Sequence, residues 1–190
     1  MPNQRPLTNK IRIIAGNHRG RRIPILDRPG LRPSPERVRE TVFNWLQNEI
    51  AGAAVFDAFA GSGAMGLEAL SRGAGSTLFC DNDSQTLAAI RNCLQEWHIG
   101  HARTLQSDAL TLSNSPTRYD LIFFDPPFDA HLHQAAIDKF AGDAWLKPYG
   151  KIYVESAEKL ENLSLKTGWQ WLKSARAGQV YFGLLGRSDD

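Results

Sequence analysis

Hydrophobic positions first alternate with polar ones and then settle into repeating blocks. Ile11, Ile13, Ile23 and Ile25 alternate with basic or polar residues, so Lys10–Leu26 predicts two short strands around the turn-prone Ala-Gly-Asn-His-Arg-Gly segment. Ser34 followed by Pro35 has the form of a helix N-cap and first turn. Behind it Val38, Val42, Trp45 and Leu46 recur at helical spacing, predicting a helix to about Glu49.

From Ala53 the blocks alternate in type. Ala53–Asp57 predicts a strand and Ala64–Arg72 a helix stopped by Gly73. Thr77–Cys80 follows as a strand, Ser84–Trp97 as a helix and Ala102–Gln106 as a strand. After an irregular Ser/Thr/Asn/Pro stretch, Tyr119–Phe124 is the most apolar strand, the pattern of a central parallel strand covered on both faces. A helix near His131–Phe140 leads to a strand at Lys151–Glu155, and Trp169–Ser174 and Gln179–Leu185 predict an antiparallel pair. Strand, helix, strand repetition is the signature of an α/β fold with a doubly wound, mostly parallel sheet. The expected organisation is a short basic N-terminal extension over residues 1–50 and one α/β domain over 51–190.

Composition changes this picture little, and charge changes it more. The chain has 190 residues, 42% hydrophobic and 22% charged, a balance that excludes collagen-like, disordered and coiled-coil classes. Its longest aliphatic or aromatic run, Leu121 to Phe124, is far short of a membrane span, so no membrane partner is expected. Met1 to Asn9 is polar with two prolines, unlike a secretory signal, and two cysteines make no disulfide framework. A reducing cytoplasm is the expected setting, and a monomer the expected state. The net charge of +2 conceals an asymmetry. Residues 1–40 carry ten basic groups against Asp27, Glu36 and Glu40, a balance of +7, and the remainder is at −5. Nine of those ten are Arg, the side chain that grips phosphate bidentately, so a polyanionic partner is expected.

Two segments could carry chemistry. Asp57-Ala-Phe-Ala-Gly61-Ser-Gly63-Ala-Met-Gly66 sits where a strand ends and a helix begins, the edge at which such sheets bind ligands. Its glycines allow a tight turn and close approach, and Asp57 suits an ammonium or hydroxyl group. Asp81 lies twenty residues beyond Gly61 near a second strand end, where an acid would hold ribose hydroxyls. This segment specifies an adenosine-containing cofactor and leaves NAD and S-adenosylmethionine both open. The second, Asp125-Pro126-Pro127-Phe128, ends the apolar strand. The prolines remove backbone donors and leave carbonyl acceptors, Asp125 adds carboxylate acceptors, and Phe128 offers a flat apolar face. That set suits a planar ring with an exocyclic NH2, stacked on Phe128 and donating to Asp125, its nitrogen lone pair drawn toward an incoming methyl group.

These two segments together resemble those of the class I, S-adenosylmethionine-dependent amino methyltransferases. Further text is more specific: Arg12-Ile-Ile-Ala-Gly16, Arg19-Gly-Arg21, Leu31-Arg-Pro33, Arg37-Val-Arg-Glu-Thr-Val-Phe-Asn44, Phe59 to Leu70 and Tyr153-Val-Glu-Ser156. Over roughly residues 10–185 the chain resembles the bacterial RsmD family, which methylates the N2 of one guanine in small-subunit ribosomal RNA. The resemblance implies a Rossmann-like methyltransferase with S-adenosylmethionine as cofactor and ribosomal RNA or the small ribosomal subunit as partner. It implies cofactor contacts from Asp57, Phe59, Gly61, Gly63 and Asp108, to which spacing alone adds Asp81, and catalysis at Asp125, Pro126, Pro127 and Phe128. Arg12, Arg19, Arg21, Arg22 and Arg32 are the candidates for phosphate contacts.

At the second strand the chain departs from that pattern, with Cys80 where the family usually has Glu and carboxylates next at Asp81 and Asp83. Successive strand residues face opposite ways, so Asp81 takes the place only if the strand ends one residue earlier. The family also commonly has Thr where Ser34 stands. His131 and His133, with Asp129, do not make a metal site, and none is expected. Cys80 and Cys93 read as buried apolar residues rather than nucleophiles, and Trp45, Trp97 and Trp145 as packing residues. Adenine N6 is the alternative target, since it is also an exocyclic amine beside a purine ring. An NAD-dependent oxidoreductase would leave Asp-Pro-Pro-Phe and the Arg-rich arm unexplained. The third alternative is a non-catalytic RNA-binding or assembly protein on the same scaffold.

Overall fold

A computed structural model describes residues 10–25, 34–113, 117–126 and 132–188. Strands β1 (Lys10–Arg12) and β2 (Arg22–Pro24) form an antiparallel hairpin, and helix α1 (Glu36–Trp45) follows. The alternating part then runs β3 (Ala54–Asp57), α2 (Ala64–Ser71), β4 (Ser76–Asp81), α3 (Ser84–Glu96), β5 (Ala102–Gln106), β6 (Tyr119–Phe124), α4 (His133–Phe140) and β7 (Leu146–Ser156). The last two strands are β8 (Trp169–Ala177) and β9 (Val180–Arg187). The seven-stranded sheet has the order β5-β4-β3-β6-β7-β9-β8, parallel from β5 to β7, with β9 antiparallel to both its neighbours. The doubly wound reading is therefore correct, and the strand order reverses direction between β3 and β6.

Alternation along the central strands decides which helix each side chain meets. Leu121 and Phe123 pack with Val38, Val42 and Phe43 of α1 and with Met65 and Ala69 of α2. Ile122 and Phe124 point the other way, toward Ala136, Ile137 and Phe140 of α4. Phe56 on that second face is fully buried and stacks on Tyr119 and Trp145, at 5.2 and 5.7 Å between centroids. Burial of each such ring stabilises by roughly 1.5–3 kcal/mol.

The basic arm is built into the domain. Ile11, Ile13 and Ile23 are buried with Leu67 and Leu70 of α2 and with Leu87, Ile90 and Cys93 of α3. Backbone N–H groups of Ile14 and Ala15 donate to the two carboxylate oxygens of Glu68, at 2.8 and 3.1 Å. Arg39 Nη1 lies 3.5 Å from the same carboxylate and Arg72 Nε 2.7 Å from it. Arg39 also donates to the carbonyl of Arg12, 3.1 Å away. At the hairpin tip, Asn17 N donates to the Ser71 carbonyl at 2.7 Å, and Gly16 lies so close that a Cβ there would sit 1.8 Å from that oxygen. Gly16 therefore serves a long-range contact as well as its turn.

Several boundaries differ from expectation. Helix α1 ends at Trp45, and residues 46–49 continue as turns. Strand β7 starts five residues earlier than its apolar core, at Leu146, because its first residues pair with the start of β6 across an irregular register. The N-cap position of α1 is Pro35, with no side-chain cap, so Ser34 does not play the capping role its sequence context suggested. A tertiary contact, described below, takes its hydroxyl instead.

Glu68 is fully buried, and its removal would strand Arg39 as an uncompensated interior charge. Glu68→Ala is expected to lower unfolding free energy by about 3–5 kcal/mol, measured by urea denaturation. A loss below about 1 kcal/mol would show that the arm is held by apolar contact alone.

Candidate active site

The carboxyl ends of β3 and β6 lie side by side, with Asp57 paired in register to Phe123 and the Ala58 N–H donating to the Phe123 carbonyl at 3.0 Å. This is the switch point of the sheet, where the helices leave to opposite faces and a cleft opens. Asp57 and Asp125 stand at these two strand ends.

The loop after β3 is shaped from within. Asp57 Oδ2 accepts the N–H of Gly66 at 3.0 Å, and Gly61 and Gly63 take positive φ angles of +48° and +76°. A Cβ on Gly66 would lie 2.3 Å from the Phe79 ring and 2.9 Å from Asp57 Oδ2, so only glycine lets α2 start this close to β3 and β4. Phe59 is half-buried beside the loop and meets Phe124 edge-on at 5.0 Å.

The second strand departs from the simplest expectation. It does not end early: Asp81 still pairs with Gln106 on β5. Its carboxylate turns to the glycine loop, accepting Gly61 N at 2.9 Å through Oδ2 and Asp83 N at 2.9 Å through Oδ1. Asp83 is the N-cap of α3, accepting from Gln85 N and Thr86 N. Cys80 is buried and donates its thiol to the Ser107 carbonyl at 3.2 Å. Burial and the carboxylates of Asp81, Asp108 and Asp57 push that thiol up to about 12, and burial pushes Cys93 to about 11. Neither is a nucleophile at neutral pH. Asp108, exposed after β5, caps a short 3-10 turn by accepting Leu110 N at 2.8 Å.

Behind Asp125 lies a group that sequence reasoning did not assign. Ser34 Oγ is 3.1 Å from Asp125 Oδ2 and 2.7 Å from Glu155 Oε2, and the Tyr153 hydroxyl donates to the same Glu155 oxygen at 2.8 Å. Burial, then the neighbouring Glu155, raises the Asp125 carboxyl well above its ordinary range, and burial raises Glu155. The signal was present: Glu155 ends an apolar parallel strand at the same sheet edge as Asp57 and Asp125. Pro126 is buried next to Asp125. Pro127, Phe128 and Arg32 lie outside the described residues, as do His131 and Asp129.

The described candidate arginines are spread along the hairpin. Arg12 and Arg22 face each other across the hairpin, and Arg12 pairs with Glu36 at 3.1 Å. Arg19 and Arg21 flank the hairpin tip, where Arg21 lies over the Trp97 ring and His18 stacks on it at 5.5 Å. Trp97 follows the last turn of α3, so this pair stands at the opposite end of the domain from the strand carboxyl edge.

The sequence profile of the conserved hypothetical protein 95 family matches residues 11–185. A protein of Escherichia coli (strain K12) named ribosomal RNA small subunit methyltransferase D is 41% identical over 182 residues, covering 95% of this chain and 91% of its own. Its namesake in Haemophilus influenzae is 38% identical over 180 residues, covering 92% and 93%. The solved structure of the Escherichia coli protein yhhF superposes with a TM-score of 0.84 at 39% identity, covering 96% of this chain and all of that one.

Burial, with the charge of Asp81 adding to it, holds the Asp57 carboxyl at about 7 against an ordinary value of 3.8. A carboxyl raised on folding contributes stability that is present below the unfolded value and lost as pH rises through the folded one. Relative to Asp57→Asn, the ligand-free protein is expected to lose melting temperature between about pH 4 and pH 8, read by thermal denaturation. Parallel curves for the two proteins would refute the assignment.

Proposed function

The chain belongs to the conserved hypothetical protein 95 family, the RsmD family, and we propose that it transfers a methyl group from S-adenosylmethionine to the exocyclic N2 of a guanine in small-subunit (16S) ribosomal RNA. The observation that carries this reading is Asp125 set beside the Asp57–Gly66 loop at the sheet switch point, in a chain so close to the relatives above.

The acids at the strand ends suit this cofactor. Asp57 and Asp81 end β3 and β4, Asp108 and Asp125 follow β5 and β6, and Asp57 is buried without a compensating cation among the described residues. A ligand with an ammonium group and ribose hydroxyls supplies charge and donors that these carboxylates lack. Asp57, with Phe59, Gly61 and Gly63, would hold the amino-acid end and Asp108 the adenine side, and Asp81 would hold the ribose because its carboxylate turns to the glycine loop although β4 does not end early. Asp83 is the weaker choice for the ribose because its side chain caps α3. When bound, the cofactor supplies an electrophilic methyl group on positive sulfur.

The chain's own part is positioning and proton acceptance. Asp125 accepts an N–H of the target amine, and the carbonyls of the proline pair are further acceptors. Phe128 supplies the face for the purine ring, which must leave its stack to reach it. No strong base is required, because the nitrogen becomes acidic only as it gains the methyl group. Arg12, Arg19, Arg21, Arg22 and Arg32 contact phosphates and supply affinity rather than sequence choice.

The test uses small ribosomal subunits from cells lacking an enzyme of this class, with S-adenosylmethionine labelled in its methyl group. Label is expected in N2-methylguanosine and lost with Asp125→Ala, which keeps cofactor affinity. Label in N6-methyladenosine would move the target to adenine, and none on subunits or naked RNA would overturn the reading. Joint replacement of Arg19, Arg21 and Arg22 by Ala is expected to weaken RNA binding and flatten the log–log salt slope by about 2. Unchanged binding would make the arm a solvated surface.

A further inference from the structure

Ser34, Asp125 and Glu155 come from three distant parts of the chain and meet through side-chain oxygens alone. The contacts Asp125 Oδ2 to Ser34 Oγ and Ser34 Oγ to Glu155 Oε2, at 3.1 and 2.7 Å, both have hydrogen-bonding length. Two such contacts need two hydrogens between three oxygens, and Ser34 carries one. With both carboxyls ionised, one contact would face lone pair to lone pair in an interior where Ser34 is 6% and Glu155 2% exposed. One further proton completes the chain. Among the described residues neither carboxyl has an ion-pair partner that would remove the need for it. The groups facing the pair are Tyr153 from β7, Asp57 from β3, and His133 from α4, whose Nε2 is 2.9 Å from the Glu155 carbonyl oxygen.

We propose that Asp125 and Glu155 act as one pair holding a single proton, and that Ser34 passes this proton to Glu155 when an amine docks, leaving Asp125 ionised to receive it. At rest the Tyr153 and Ser34 hydroxyls both donate to Glu155 and favour its charged form, so the proton sits on Asp125. An amine N–H donated to Asp125 favours ionised Asp125 instead. The Asp125 O–H then breaks as its proton moves to Ser34 Oγ, while the Ser34 hydrogen moves to Glu155 Oε2. The last step rests on the methyl-transfer reading above. The N–C bond forms as the sulfonium C–S bond breaks with its electron pair left on sulfur. The nitrogen's proton goes to Asp125, and one of the pair's two protons then passes to water. Ser34 and Glu155 are positioning residues in this scheme, because they act through Asp125.

The test titrates side-chain carboxyls of the full chain by carbon-13 NMR, without substrate, in wild type, Glu155→Gln, Ser34→Ala and Ser34→Thr. One protonated carboxyl is expected to persist in wild type near pH 7. Glu155→Gln should move the Asp125 titration down by about one pH unit or more, because a neighbouring negative charge is gone. Ser34→Thr should keep the coupling that Ser34→Ala loses, and if Glu155→Gln does not fold, the Ser34 variants carry the test. Both carboxyls ionised at pH 6 in wild type, or an Asp125 titration indifferent to Glu155→Gln, would overturn the proposal. In turnover, Glu155→Gln should shift the acid limb of the kcat profile and lower kcat about tenfold with the cofactor KM unchanged. A paired titration in a protein that methylates no amine would defeat the reaction assigned above and leave the proton pair standing.

Discussion

The buried carboxylate of Glu68 ties the described hairpin and helix α1, which precede β3, to α2. An interior charge is tolerable only when paired and hydrogen-bonded, and here it meets two backbone N–H groups of the arm and the guanidinium groups of Arg39 and Arg72. Burial lowers the Arg39 guanidinium and Glu68 opposes that shift, so each charge is the condition for the other. Because Arg39 belongs to α1, the same network holds this helix against α2. Ser34 stands five residues ahead of Arg39, and the fixed helix start is what brings its hydroxyl to Asp125 and Glu155. The arm thus helps to fix the side-chain cluster at the strand carboxyl edge.

Glu68 makes an informative contrast with the carboxyls at the strand ends. All of them are acids in or beside the interior, yet Glu68 is matched by cations, whereas the described partners of Asp57, Asp125 and Glu155 are N–H and O–H groups. Asp57 has the Gly66 amide, Asp125 has Ser34, and Glu155 has Ser34 and Tyr153. Burial, joined at Asp57 and Asp125 by like charges nearby, then raises these carboxyls, which a purely structural packing would avoid. The free protein carries an electrostatic cost at this edge that a cationic ligand relieves. Carboxylates with their cations built in hold the fold together, and carboxylates without them are left for ligands.

Periodicity made the doubly wound sheet legible, because helix and strand repeats of the α/β part each bury one consistent face. The Asp57–Gly66 loop and Asp125 were legible for the same reason: both follow an apolar strand that must run to the carboxyl edge. Ser34 was misread because Ser-Pro is a strong local cap signature, and no local rule reveals a hydroxyl partner 91 residues away. Gly16 was read as a turn residue, whereas its tightest constraint is the Ser71 carbonyl. Asp81 was placed by spacing alone; its attachment to Gly61 depends on how β4 stands against the loop, which only the assembled sheet determines. Glu155 ends an apolar strand, and its role becomes visible only when two other chain segments arrive beside it.

The arm's geometry bears on how a nucleic acid would lie on the protein. The chain passes Glu68 at Ile14 and Ala15 and reaches Ser71 at Asn17 and His18, so it follows α2 toward its carboxyl end. Helix α2 has eight residues and a length of about 12 Å, with the glycine loop at its start. Arg19 and Arg21 therefore stand toward the carboxyl end of α2, away from the strand carboxyl edge, whereas Arg12 and Arg22 pair within the hairpin ladder and Arg12 reaches Glu36 at the start of α1. At about 3.4 Å per nucleotide along a strand, phosphates held at the tip belong to a part of the RNA several nucleotides from the base being modified. A substrate satisfying both ends must be long or folded, with the target base extruded at one end of a rigid basic stripe. A single nucleotide or short single strand engages only one end. On the proposed function, the rigidity conferred through Glu68 would convert a sequence-independent charge into a measure of substrate shape, discrimination that no single arginine on the arm could supply.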